Sequence, residues 1–146
     1  MTGRFNVVIL GASGLVGQRL QELLFNHPFF RVIAIAGSPN SVGLMHEEIE
    51  WRLDSPRPDY DILICSMSDI PDVDIAFSAL PSNVAEVVEP SLVARGIHVF
   101  SNASAFRRIA GIPLVIPEVN PEDMDGYEGH ACATNCTVVP VVTPII

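Results

Sequence analysis

The sequence predicts an α/β fold, a single domain built on a doubly wound, mainly parallel sheet. Three observations carry that expectation. Short apolar, β-branched runs recur along the chain, helical periodicities separate two pairs of them, and a glycine-rich loop joins the first run to the first helix.

The runs are Phe5–Leu10, Arg31–Ala36, Tyr60–Cys65, Val73–Ala79, Ile97–Ser101 and Pro113–Ile116. Each is almost continuously hydrophobic rather than alternating, as expected of strands buried on both faces. Between the first two, Val16, Leu20, Leu23 and Leu24 recur at helical spacing, and Asn26-His27-Pro28 supplies a stop. This predicts a βαβ unit. Between Ala79 and Ile97, the stretch Val84, Val87, Val88, Leu92 and Val93 predicts a second crossover helix, kinked at Pro90 and capped by Gly96. The acids collected between Glu47 and Asp74, broken by Pro56, Pro58 and Pro71, read as solvated connections around one strand.

Composition narrows the function. With 146 residues and 49% hydrophobic side chains, the chain has material for one buried core, so residues 1–146 are read as one domain. A formal charge of −9 and a pI near 4.6 oppose attraction to nucleic acid or to an anionic membrane surface. All eight basic residues are Arg, which excludes Schiff-base or phosphate-loop chemistry by a lysine of this chain. Residues Met1 to Asn6 show no signal-peptide pattern, no apolar run approaches the length of a membrane span, and Cys65, Cys132 and Cys136 lack the regular spacing of a disulfide framework. A cytoplasmic protein with reduced thiols is expected.

The glycine loop is Gly11-Ala12-Ser13-Gly14-Leu15-Val16-Gly17. After a strand and at the head of a helix, such glycines allow a tight turn, a close approach of backbone to pyrophosphate, and near contact of helix with strand. Its spacing is G-x-x-G-x-x-G, and its place in a strand-loop-helix unit points to a Rossmann-type dinucleotide site. About 20 residues further on, where NAD-binding chains usually carry an acid for the ribose 2′-hydroxyl, this chain has Gly37-Ser38-Pro39-Asn40-Ser41. No carboxylate repels a 2′-phosphate there. The hydroxyls of Ser13, Ser38 and Ser41 and the amide of Asn40 are candidate donors, which favours NADP.

Four later segments complete a pattern: Phe77-Ser78-Ala79-Leu80-Pro81-Ser82-Asn83, Phe100-Ser101-Asn102-Ala103-Ser104-Ala105-Phe106-Arg107, Pro113-Leu114-Val115-Ile116-Pro117-Glu118-Val119-Asn120, and Thr134-Asn135-Cys136-Thr137. With the glycine loop, in this order and spacing, they resemble the aspartate-semialdehyde dehydrogenase family from about Val7 to Thr137. The resemblance implies an NADPH-dependent reduction of L-aspartyl 4-phosphate to the semialdehyde through a cysteine thioester, in the biosynthesis of lysine, threonine and methionine. It implies Cys136 as nucleophile, Asn135 beside it to orient the thiolate or the thioester oxygen, Arg107 on the substrate phosphate, and Ser82 and Asn83 in a cofactor loop. It implies no metal. The residues agree on two points. Sulfur is both a strong nucleophile and a good leaving group, and a planar guanidinium suits a two-pronged hold on phosphate. His130, Cys132 and Cys136 imitate a metal cluster but lack an evident fourth ligand, Cys65 reads as core, and His27, His46 and His98 as surface or strand-end residues.

Two departures qualify the resemblance. The family continues beyond its cysteine into a second domain with the histidine base, the arginine that reads the substrate carboxylate and most of the dimer interface, whereas this sequence stops at Ile146. A missing second domain or partner chain is therefore expected, with the isolated chain inactive. In the apolar ending Pro140 fits the first turn of a helix, whereas Pro144 is expected to kink the usual helix after the cysteine. Asn40 also stands where relatives commonly have an arginine, with Leu44 near a frequent lysine, which softens the NADP preference. Substrate choice leaves open an N-acetyl-glutamyl-phosphate or acyl-CoA reductase, and a non-catalytic dinucleotide-binding or interaction module is the rival of another class.

Overall fold

The computed structural model describes residues 3–127 and 129–133. These divide into two compact units, the first ending at Ala79 and the second beginning at Leu80.

The first unit contains β1 (Phe5–Leu10), α1 (Leu15–Leu24), β2 (Phe30–Ala36) and β3 (Ile75–Ser78). Its strands run in the order β2-β1-β3, all parallel, with Val7 beside Val32 on one side and Ile75 on the other. The central β1 is where hydrophobicity is most continuous, and Val7, Val8, Ile9 and Leu10 are all fully buried. Val7 and Ile9 pack with Leu24 of α1. Successive side chains of a strand alternate faces, so Val8 and Leu10 fill the opposite one. Asn26, at φ 56°, ends the segment after α1, in agreement with the predicted stop.

The second unit contains α2 (Ser82–Ala94), β4 (His98–Ser101), β5 (Leu114–Val115) and β6 (His130–Ala133). Its strand order is β4-β6-β5, again parallel. The helix runs through Pro90, whose missing N–H falls on the exposed side, and closes as Gly96 predicts. Gly96 adopts φ 81°, its N–H meets the Val93 carbonyl at 2.9 Å, and the Ile97 N–H returns to Leu92 at 3.1 Å.

Four readings need correction. The run Tyr60–Cys65 is not a full strand: Leu63 bridges Met45 antiparallel and Cys65 bridges Ala36 parallel, so its pairing is split between two partners and no ladder extends. Conversely β6 carries no β-branched residue, only His130, Ala131, Cys132 and Ala133, so no strand signal precedes it. On α1, Leu23 is 62% exposed and Val16 45%, while Gln18 and Gln21 are buried with Gly17 and Leu24. The helix faces inward through amides, not through its most apolar stripe. His46 is buried rather than on the surface. The acids between Glu47 and Asp74 are exposed, as expected of solvated connections.

Candidate functional site

In the first unit the glycine loop is shaped by close approach. A Cβ on Gly17 would lie 1.9 Å from the Gly11 carbonyl oxygen, so helix and loop meet at a distance only glycine permits. Gly11 adopts φ 99°, and its own Cβ would lie 2.8 Å from the Ala79 carbonyl. Gly14 is different: it is the exposed N-cap of α1, supplies no capping side chain, and a Cβ there would meet nothing closer than 3.8 Å. Among the described residues the N–H groups of Leu15, Val16 and Gly17 take no backbone partner, and the first turn holds no acid. An open first turn of this kind suits a phosphate anion. The loop is held from behind by Gln21, whose Nε2 donates to the Ala12 carbonyl at 2.9 Å.

The turn after β2 brings Ser38, Asn40 and Ser41 together, with unequal access. Ser38 and Asn40 are exposed, whereas Ser41 is buried and its hydroxyl donates to the Ser38 carbonyl at 3.0 Å. Ser41 also lies against Gly37, where a Cβ would come within 2.2 Å of its Oγ. Its hydroxyl therefore shapes the turn, and the outward donors are Ser38 and Asn40. Ser13 is half-buried, and Leu15 and Val16 are exposed on the first turn. At the end of β3 the Ser78 hydroxyl is buried and has no hydrogen-bond partner among the described residues.

In the second unit Ser82 opens α2 and its hydroxyl shares a 2.8 Å hydrogen bond with Ser104, while Asn83 is exposed beside it. Ser104 belongs to the loop after β4 that carries Asn102 and Arg107. The Arg107 guanidinium donates from Nη2 to the Asn102 carbonyl at 2.7 Å, and its Nε–H is buried without an acceptor among the described residues. An unsatisfied buried guanidinium donor is costly unless something accepts from it, and an anion would. Arg108 is exposed, so Arg107 is the inward member of the pair. Asn135 and Cys136 lie outside the described residues, as does the apolar ending.

Cys132 lines an apolar pocket of about 340 Å³ with Phe100, Val115, Pro117, Pro121, Met124 and Ala131. Burial, then the nearby Glu89 carboxylate, push its thiol up to about 11 against an opposing pull from Arg107. Cys65 is half-buried and burial raises its thiol too. Neither is poised as a nucleophile at neutral pH. Among the described residues no three His, Cys, Asp or Glu side chains gather as a metal would require, and no helix is long and apolar enough to cross a membrane.

The residues that sequence reading missed are the polar ones inside. Glu89 is fully buried between Ser101 and His130, and Gln21 between Ala12 and His46. A signal existed: Glu89 shares the helix stripe of Ala85 and Leu92, four and three residues away, where a charge is out of place.

Comparison with known proteins follows the same lines. Residues 6–127 match the family model described as semialdehyde dehydrogenase, NAD binding domain. The aspartate-semialdehyde dehydrogenases of Methanothermobacter thermautotrophicus and Archaeoglobus fulgidus are 46% and 40% identical over 92% and 95% of this chain. The chain spans less than half of those relatives, 43% and 45% of their lengths. Among solved structures, the Candida albicans aspartate-semialdehyde dehydrogenase with NADP superposes with a TM-score of 0.88 at 32% identity, over 98% of this chain and 46% of that one. The Vibrio cholerae aspartate-semialdehyde dehydrogenase II complexed with ASA gives 0.78 at 26%, over 95% and 44%.

Proposed function

The chain belongs to the semialdehyde dehydrogenase family through its NAD-binding domain, and from that premise we propose that it is the nucleotide-binding, nucleophile-bearing part of an NADP-dependent aspartate-semialdehyde dehydrogenase. Its substrate in this reading is a small acyl phosphate, L-aspartyl 4-phosphate.

The observation that carries the cofactor assignment is the glycine loop, where the Gly17–Gly11 approach aims an uncapped, acid-free helix start outward. The first-turn N–H groups would hold the pyrophosphate, and Ser38 and Asn40 would face the adenosine ribose, where no carboxylate opposes a 2′-phosphate. When bound, NADPH supplies a hydride.

The rest falls to the chain's own side chains. Arg107 would grip the substrate phosphate through the Nε–H that has no partner among the described residues, and Asn102, whose carbonyl accepts from Nη2, would fix the guanidinium plane. The Cys136 thiolate would attack the acyl carbon, the C–O bond to phosphate would break, and the phosphate would leave toward Arg107 while Asn135 orients the acyl group. The relatives' additional length is where the acid–base group and the carboxylate-reading residue would come from, along with the surface for a homo-oligomer.

Titrating the chain with NADPH and NADH by fluorescence tests the first half of this reading, with NADPH expected to bind more tightly. Mixing the chain, joined to the remaining length of a relative, with aspartyl phosphate and trapping a mass increment on Cys136 tests the second. A folded chain that binds neither nucleotide refutes the proposal. Supplying the remaining length of a relative and assaying aspartyl phosphate, N-acetyl-glutamyl phosphate and an acyl-CoA discriminates among acyl donors.

A further inference from the structure

Glu89 is 0% exposed on the inward side of α2. A carboxylate buried so completely is costly unless donors meet it. Two do: the Ser101 hydroxyl donates to Oε1 and His130 Nε2 donates to Oε2, each at 2.7 Å. Ser101 is the last residue of β4 and His130 the first of β6.

Each partner also holds the loop that carries Arg107. The Ser101 hydroxyl accepts the Ala103 N–H at 3.1 Å, fixing the start of the loop, and the His130 ring meets Phe106 edge to face with centroids 4.4 Å apart, fixing the residue before Arg107. Between these two holds the guanidinium closes back on the Asn102 carbonyl. A well-packed apolar side chain at position 89 would serve the core at least as well, since buried polar pairs contribute little net stability. What the carboxylate adds is direction. It aligns one hydroxyl and one imidazole whose other contacts bracket the loop.

We propose that Glu89 is a positioning residue for Arg107, acting through Ser101 and His130 to hold the 102–107 loop so that the buried Arg107 Nε–H faces an incoming phosphate. The inference rests on the reading of Arg107 as the phosphate residue.

The test uses the ¹⁵N-labelled chain, titrated with inorganic phosphate while the Arg107 Nε–H resonance is followed, in the wild type, Glu89→Gln and Ser101→Ala. In Glu89→Gln the side-chain amide would accept only one of the two hydrogen bonds well, so phosphate affinity is expected to fall about tenfold. The Arg107 Nε–H resonance should move toward that of a solvated arginine before any phosphate is added. Ser101→Ala should speed exchange of the Ala103 amide and give a smaller change of the same sign. A Glu89→Gln chain with wild-type circular dichroism, phosphate affinity and Arg107 resonance overturns the proposal. If that variant does not fold, Ser101→Ala decides: faster Ala103 exchange with a moved Arg107 resonance supports it, and with an unmoved one overturns it. A wild type that takes up no phosphate sinks the reading of Arg107 instead, and the resonance and exchange still decide whether Glu89 positions it.

Discussion

His46 Nε2 donates to Gln21 Oε1 at 2.7 Å, and both side chains are buried. Because Gln21 Nε2 donates in turn to the Ala12 carbonyl, one amide ties the glycine loop to the short 3-10 turn at His46–Glu48. The Tyr60 hydroxyl adds a hydrogen bond to the Gln21 carbonyl at 2.8 Å. Gln18 does the same for the next stretch, donating to the Glu50 carbonyl and accepting from the Arg52 N–H. Gln21→Leu keeps the volume but strips Ala12 and His46 of their partner, which should cost about 1–3 kcal/mol in urea unfolding. NADPH affinity should fall with it, because the loop carbonyl loses its support. An unchanged unfolding midpoint would show the amide to be replaceable.

His46 also predicts a pH dependence. Burial first, then the Arg57 guanidinium, lower its pKa from 6.5, with Asp59 opposing. The folded state therefore favours the neutral ring, and the unfolded chain binds the proton more readily. The sign follows: this contribution to stability is complete above pH 6.5 and is lost as pH falls from there through the lower folded value. Between about pH 7.5 and 5.5, a window that brackets the ordinary histidine value, urea midpoints should drop more for the wild type than for His46→Gln. Equal drops would mean that carboxylates alone govern the acid limb.

Gly17 gives the sharpest steric prediction. The Cβ of an alanine would stand 1.9 Å from the Gly11 carbonyl oxygen, a backbone atom that cannot rotate away. Gly17→Ala should lower stability by about 1–3 kcal/mol or more and displace the loop enough to abolish nucleotide binding. Gly14→Ala is the control for folding, since its Cβ meets nothing closer than 3.8 Å. It should lose at most about 1 kcal/mol, because alanine caps a helix less well than glycine, and keep its nucleotide loop in place. Full NADPH binding by Gly17→Ala would separate the glycine spacing from cofactor recognition.

How far the sequence could be read follows from where apolar side chains coincide with burial. They coincide over Val7, Val8, Ile9 and Leu10 of β1, so that strand and the loop behind it were legible, as was the Gly96 cap, whose positive φ only glycine adopts cheaply. They part company in α1, where Gln18 and Gln21 take the inward face because backbone carbonyls, not methyl groups, wait for them. At His46 and at His130 of β6 a buried ring meets a side-chain partner instead, Gln21 and Glu89. The polar interior was illegible because a hydrogen-bonded glutamine or glutamate leaves no periodic mark of its own partner. Arg107 was legible only through the surrounding segment; its buried Nε is a property of the fold.

The cysteines should differ in reactivity. Cys132 is buried with a thiol pushed up to about 11, and burial raises Cys65 as well. Since the thiolate is the reacting form, both should resist iodoacetamide in the native chain near neutral pH, and peptide mapping should find Cys136 labelled first. Glu89→Gln should ease Cys132 downward, because the carboxylate is its second cause of elevation. Labelling of Cys132 ahead of Cys136 in the folded chain would argue against Cys136 as the nucleophile.

Asn40 sets the last expectation. It is exposed on the turn after β2, beside the exposed Ser38, while Ser41 is turned inward onto the Ser38 carbonyl. In the proposed function two neutral donors would therefore meet the 2′-phosphate, and a charge-assisted hydrogen bond is roughly twice as strong as a neutral one. Asn40→Arg adds that charge at an exposed site where no backbone must move. NADPH should tighten by about 1–3 kcal/mol, roughly ten- to a hundredfold, with NADH nearly unaffected. The gain should shrink as salt rises, because an exposed guanidinium is screened. A parallel gain for both nucleotides would place the residue on the pyrophosphate or adenine rather than the 2′ position, and no gain would remove this turn from the cofactor site.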